Sequence, residues 1–281
     1  MIAVTGATGY LGGLLCAMLE QRGHAVRRLT RRPERAGDAP FALDQPVAPG
    51  ALAGVETLIH AAHDFRPRRE AELLRLNLDG SRRLLEAARR DGVGRVLFIS
   101  SIASYDGSRS AYGRVKFALE REVAAAGGTS IRPGLVFGRE RGGLFAALDR
   151  VVRSAPLLPD LGPRARLFVV HAGDLLAIVG AWLALGRTTA PALLAAAWPE
   201  PYSMRRVLEV IASAAGRHAR FAPAPPGLVL AGLRAVEAAG IQLPFRSDSL
   251  VSMLAPNPAP GLARVVLGTT LRPLDAGTLG G

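Results

Sequence analysis

Met1-Ile-Ala-Val-Thr-Gly-Ala-Thr-Gly-Tyr-Leu-Gly12 is the stretch that decides the fold. Met1 to Thr5 reads as a short apolar strand, glycines stand at 6, 9 and 12, and an apolar pattern of helical spacing continues to about Arg22. Strand, glycine turn and helix in that order form a dinucleotide-binding unit. Gly6 permits the tight turn, Gly9 lets the backbone approach a pyrophosphate, and Gly12 lets helix and strand pack closely. Thr8, Tyr10 and Leu11 complete the turn and share the expected cofactor contact, with the helix amino terminus facing the phosphates.

A second strand is expected over 24–29, followed by Thr30-Arg-Arg-Pro33. An acid at the end of this strand binds ribose hydroxyls, whereas arginine accommodates a 2′-phosphate. Thr30 stands in the acid's place and Arg31 and Arg32 follow, so NADP(H) is the expected cofactor, with NAD(H) as the alternative. Further strands are expected at 41–44, 57–61, 95–100 and 129–132, and helices at 67–90 and 110–126. Strands alternating with helices of these lengths predict an α/β fold, a Rossmann-type doubly wound parallel sheet covered on both faces. Its ligands bind beyond the carboxyl ends of the strands, where Ser100, Ser101 and Ser104 lie.

Tyr112-Gly-Arg-Val-Lys116 carries the chemistry. Of 35 basic side chains, Lys116 is the single lysine. Positions four apart share a helix face, which sets the ammonium beside the phenol. A nearby cation favours phenolate, so the pairing is expected to lower the Tyr112 pKa and to make the phenol a proton donor or acceptor.

With these motifs in order, the chain resembles an extended short-chain dehydrogenase/reductase of the NAD(P)-dependent epimerase/dehydratase family. The resemblance rests on the glycine turn, His60-Ala-Ala62, Asn77, Ser100-Ser101, Tyr112-x-x-x-Lys116, Arg132-Pro-Gly-Leu-Val-Phe-Gly138, Val170-His-Ala-Gly-Asp174 and Leu267-Gly-Thr-Thr-Leu-Arg-Pro273. It implies Tyr112 as acid or base on the substrate oxygen, Ser101 as hydrogen-bonder to that oxygen, and Lys116 as tuner of the phenol and holder of the nicotinamide ribose. It also implies cofactor contacts at Asp44 (adenine amine), His60, Ala61, Ala62, Asn77, Pro133, Gly134 and Leu135, and a homodimer formed through the two long helices. His63-Asp64 is expected at the surface and His171 at a domain junction.

Residues 1–138, with 166–196 returning to them, are expected to form the NAD(P)-binding Rossmann domain; 139–165 and 197–281 make a small interleaved substrate domain. Helices are expected near 143–153, 174–185, 203–215 and 228–239, and a strand at 167–171. Two departures from the family pattern matter. Ile102-Ala103 stand where dehydratases carry an acidic pair, which argues against dehydration, and Arg164 and Arg166 do not align cleanly with an arginine that binds a nucleotide diphosphate. The reading is an oxidoreductase moving hydride at a secondary alcohol or ketone, including that of a nucleotide-linked sugar. The alternatives are a sugar-nucleotide epimerase with retained NAD and a non-catalytic dinucleotide sensor or scaffold.

Net charge is +12, yet the arginines are scattered in pairs such as Arg68-Arg69 and Arg82-Arg83 without aromatic interleaving, which argues against a nucleic-acid partner. The single cysteine, Cys16, excludes an internal disulfide, and no His/Cys cluster has metal-ligand spacing. The opening strand leaves no room for a leader, and the apolar run 175–185 is shorter than the roughly 20 residues that span a bilayer. The expectation is a cytoplasmic protein with a small-molecule substrate and no membrane partner.

Overall fold

In the computed structural model, which describes residues 1–280 apart from 68, 141, 187, 188, 242 and 244, the opening unit is Ile2–Thr5 (β1) and Tyr10–Gln21 (α1). Val26–Thr30 (β2), Ala39–Pro40 (β3), Thr57–His60 (β4), Glu70–Arg90 (α2), Arg95–Ile99 (β5), Ala111–Ala125 (α3) and Thr129–Pro133 (β6) follow. Next come Leu135–Phe137 (β7), Gly143–Ser154 (α4), Leu158–Asp160 (β8), Arg166–Leu167 (β9), Val169–His171 (β10), Ala172–Ala184 (α5) and Leu193–Ala196 (β11). The remainder holds Tyr202–Ser203 (β12), Met204–Ala214 (α6), Phe221–Pro223 (β13), Pro226–Ala238 (α7), Ser247–Leu254 (α8), Val265–Val266 (β14), Thr269–Thr270 (β15) and Ala276–Gly280 (α9).

The main sheet has the order β11-β6-β5-β4-β1-β2-β3, and each neighbouring pair is parallel. Its central strands are apolar on both faces, as a sheet covered twice requires. Ile2, Val4, Ile59, Leu97 and Ile99 pack against Leu15 and Leu19 of α1 and Ile178 and Trp182 of α5. Their neighbours point the other way: Ala3 and Leu58 meet Leu84 of α2, and Phe98 meets Val115 and Leu119 of α3. A separate core joins Phe145 and Leu148 of α4, Val207 and Ile211 of α6, Leu250 and Met253 of α8, and Leu279 of α9. Val266 of β14 and Leu271, just beyond β15, pack back into the core of α1 and α5. No helix among the described residues is long and apolar enough to cross a membrane.

Several elements differ from expectation. The third strand lies at Ala39–Pro40 rather than 41–44, pairing with Leu29 and Thr30. Phe41 and Leu43 are buried beyond its end because the chain turns inward there, and Gly80 of α2 leaves room for the Leu43 carbonyl. The strand expected over 167–171 is divided at Phe168: β9 pairs antiparallel with β12, and β10 parallel with β7. The helix after it starts at Ala172, where His171 is the N-cap and its Nδ1 accepts from the Gly173 amide at 3.0 Å. The long helix begins at Glu70 rather than at 67; of the expected first residues, Arg68 lies outside the described ones. Sequence periodicity missed α8 and the seventh strand, β11.

Candidate active site

β1 ends at Thr5 and the chain reverses at Gly6, where φ is +67°. A Cβ on Gly6 would come within 2.9 Å of the Ala62 amide, and one on Gly12 would collide with the Gly6 carbonyl. The turn therefore admits only glycine at both positions. Gly9 caps α1 without a side-chain bond, so the first helical amides have no side-chain acceptor at the cap. Thr8 and Gly9 are exposed. The Tyr10 hydroxyl donates to the Glu140 carbonyl at 2.6 Å, tying the turn to the segment after β7, and Leu11 packs into the sheet core.

Along the same carboxyl edge, the Thr30 hydroxyl is buried at the end of β2 with no hydrogen-bond partner, and Arg31 and Arg32 are exposed beside it. Asp44 is exposed and accepts from Arg66 Nη2 at 3.1 Å. His60 closes β4 with its ring turned inward: Nδ1 meets Thr5 Oγ1 at 2.7 Å and Nε2 meets Ser81 Oγ at 2.8 Å. Burial holds its pKa down to about 3, so it is neutral, held between Thr5 and Ser81. The Ala61 and Ala62 amides both donate to Thr5 Oγ1 at 3.1 Å. Asn77 is buried and clamps the next loop, accepting from the Asp64 amide at 2.8 Å and donating to the Asp64 carbonyl at 3.0 Å. Across the sheet, Ile102 donates to the Pro133 carbonyl, Gly134 to that of Ala196 and Leu135 to that of Phe168, which fixes the 133–135 segment.

Ser101, Tyr112 and Lys116 converge beyond β5. The first turn of α3 packs tightly because residue 113 is glycine; a Cβ there would collide with the Ala103 carbonyl and Ser108. Ser101 lies beside the Tyr112 phenol and favours its ionisation, whereas Ser100 turns away and donates to Glu120 Oε1 at 2.5 Å. Lys116 is buried, donates to the Ile99 carbonyl at 2.8 Å and lies 5.7 Å from the Tyr112 ring centre. Beneath it, Arg132 grips Glu120 through two bonds of 2.8 and 2.6 Å.

The electrostatics correct one expectation. Tyr112 is pushed up to about 12, first by burial and less by Asp248, with only Ser101 pulling it down. The Lys116 amine is brought down to about 7 by burial, which the Glu120 carboxylate partly offsets. Proximity of a cation therefore does not lower the phenol here; desolvation of both groups outweighs it.

Sequence reasoning missed the roof of the site. Asp248, at the start of α8, accepts from the Ala111 and Tyr112 amides at 2.8 and 3.0 Å, capping α3 from the distant end of the chain. Arg246 donates to the Phe65 carbonyl at 2.9 Å, Tyr105 to the Ala255 carbonyl at 2.9 Å and Asn257 to the Ile102 carbonyl at 3.3 Å. His63, expected at the surface, packs edge-on against Tyr112 with ring centres 5.0 Å apart, while Phe65 stacks on Tyr112 at 5.6 Å. Asp64 does pair with Arg66 at the surface, at 2.6 Å. Arg164 and Arg166 are both exposed, the latter in β9. The motif residue Asp174 binds Arg272 of the carboxyl-terminal motif, accepting from its amide at 2.8 Å and its Nε at 2.7 Å.

A model of the NAD dependent epimerase/dehydratase family matches residues 2–155. A ceramide reductase of Caulobacter vibrioides is 35% identical over 191 residues, 62% of this chain and 58% of that protein, so the match spans less than two thirds of that relative's length. Among solved structures, MoeE5 in complex with UDP-glucose and NAD is 24% identical with a TM-score of 0.67, over 80% of this chain and 85% of the other. A nucleoside-diphosphate-sugar epimerase from Staphylococcus aureus is 14% identical with a TM-score of 0.74, over 100% of this chain and 99% of its own. At these identities the two structural likenesses are of fold.

Proposed function

The chain belongs to the NAD-dependent epimerase/dehydratase family, and we propose that within it the protein is an NADP(H)-dependent reductase or dehydrogenase of a secondary alcohol or ketone. The observation that carries this reading is the Tyr112 phenol beside Ser101 and 5.7 Å, ring centre to amine, from the buried Lys116 at the carboxyl edge of the sheet. In reduction, Tyr112 gives its proton to the substrate oxygen while Ser101 holds that oxygen; in oxidation the Tyr112 phenolate takes the proton of the alcohol. A phenol raised by burial enters neutral and ready to donate, which suits the reductive direction. Lys116 holds the ribose hydroxyls.

The residues fit the nucleotide. The Gly6–Gly12 turn leaves no side chain between the backbone and a pyrophosphate, and the uncapped start of α1 offers its amides. The unpartnered Thr30 hydroxyl and the exposed Arg31 and Arg32 suit a 2′-phosphate and hold no acid against it. When bound, the nicotinamide supplies or receives the hydride.

Ketones on nucleotide-linked sugars remain candidate substrates, and the similarity to a ceramide reductase adds ketones on lipids. The proposed division assigns cofactor binding to 1–138 with 166–196, and substrate binding to 139–165 with 197–281; the separate core of α4, α6, α8 and α9 supports it. A cytoplasmic homodimer through α2 and α3 belongs to the same reading.

Titration with NADPH and NADH, followed by a ketone screen, tests it. Wild type is expected to prefer NADPH and to lose that preference in the Arg31→Ala/Arg32→Ala double variant. Tyr112→Phe is expected to retain NADPH binding and to lose about 10²- to 10⁴-fold in turnover. Tightly carried NAD would move the reading to an epimerase, and full activity in Tyr112→Phe would refute the phenol's role.

A further inference from the structure

We propose that His63 is a ligand-binding residue, whose imidazole donates and accepts hydrogen bonds to an uncharged hydroxyl or carbonyl group held beside the Tyr112 phenol. This rests on the function proposed above and adds a recognition residue to the same site.

Both His63 ring nitrogens are buried and neither has a hydrogen-bond partner. Among the described residues no other histidine is in this condition: His60 uses both nitrogens, and His171 uses Nδ1. Buried polar atoms are normally satisfied, and one left unmatched destabilises the fold unless a ligand or water completes it. Here a whole imidazole is unmatched, three residues beyond the end of β4, the neighbour of the glycine-turn strand.

The loop that carries the ring is held in place. Asn77 clamps the Asp64 backbone on both its amide and its carbonyl, and Arg246 holds the Phe65 carbonyl. Phe65 and Tyr112 pack edge-on against the ring, at 4.4 and 5.0 Å between centres. This cage fixes the imidazole next to the reacting phenol.

The ring's charge selects the ligand group. Burial, with Lys116, His60 and Arg246 around it, keeps His63 well below the ordinary histidine range, so it is neutral. A neutral imidazole presents one donor and one acceptor, which matches a hydroxyl and gives no advantage to a phosphate or carboxylate. Two sources could bring such a group to Tyr112: the nicotinamide half of the cofactor, or a substrate oxygen next to the reacting carbon.

His63→Phe keeps the ring packing and removes the polar atoms, and His63→Gln restores a donor and an acceptor. Calorimetric titration of each with NADPH and with 2′,5′-ADP, which lacks the nicotinamide half, separates the first source. A loss of about five- to ten-fold for NADPH in His63→Phe, with 2′,5′-ADP unchanged and His63→Gln partly restored, assigns the group to the cofactor. The NADP⁺ complexes are then titrated with cyclohexanol and cis-1,2-cyclohexanediol. A wild-type preference for the diol that disappears in His63→Phe, with nucleotide affinities unchanged, assigns it to the substrate.

If NADPH affinity is unchanged in His63→Phe and the diol has no advantage in wild type, or keeps it in the variant, the inference is overturned. Failure of wild type to bind either nucleotide would instead overturn the proposed function and this inference with it.

Discussion

Lys116→Met probes the site through its buried amine. The Lys116 side chain belongs to a residue 3% exposed, and burial brings its pKa to about 7. In the unfolded chain the same amine keeps its proton until about pH 10.4. Between those values the unfolded state binds more protons than the native state, so stability must rise with pH. A difference of one proton is worth about 1.4 kcal/mol per pH unit; since the native amine is about half deprotonated at pH 7 and about nine-tenths at pH 8, the gain across that step is about 1 kcal/mol. The window is bounded above by Cys16, whose thiol is pushed up to about 11 by burial. Above about pH 8.5 an unfolded thiol ionises first, and that contribution falls with pH. Methionine is of similar length and does not titrate, so the variant isolates the slope whatever its absolute stability. Urea unfolding at pH 7 and pH 8 should show a gain of about 1 kcal/mol for wild type and none from this residue in Lys116→Met. A flat wild type, or a variant that keeps the full gain, refutes a native amine depressed by burial.

Glu120→Gln leaves the Arg132 guanidinium without its counter-charge in a pair whose side chains are 12% and 8% exposed. Breaking a buried pair on one side is expected to cost about 3 kcal/mol, visible in the same urea titration, and losing the carboxylate should move the onset of the Lys116 slope to lower pH. Asp248→Asn removes a charge from the amino terminus of α3 and one of two amide acceptors, with an expected loss of about 1 kcal/mol. Because Asp248 helps to raise the phenol, the same variant should shift tyrosinate formation by Tyr112 to lower pH in an ultraviolet titration referenced to Tyr112→Phe. An unmoved titration would mean that the carboxylate only caps the helix.

What could be read in advance depended on whether the signal was local in the chain. Gly6, Gly9 and Gly12 lie within seven residues and follow a strand, so the turn was legible before any packing was known. Tyr112 and Lys116 are one helical turn apart, and a lone lysine among arginines marks itself. Their electrostatics were not legible, because spacing shows that a cation is near and says nothing of the water removed from both groups. His63 illustrates the same gap: beside an aspartate in a polar loop it reads as surface, and only the fold brings Phe65 and Tyr112 around it.

Asp248 reaches Ala111 across 137 positions and Tyr105 reaches Ala255 across 150, distances over which periodicity carries no information. These links nevertheless reach the candidate site, since Asp248 holds the amide of Tyr112 itself and Arg246 holds the loop of His63. A group bound by the segment 246–257 would therefore pull on the first turn of α3 through two carboxylate bonds. The late, loosely patterned part of the chain thus helps to hold the first turn of α3, and with it the Tyr112 backbone, in place.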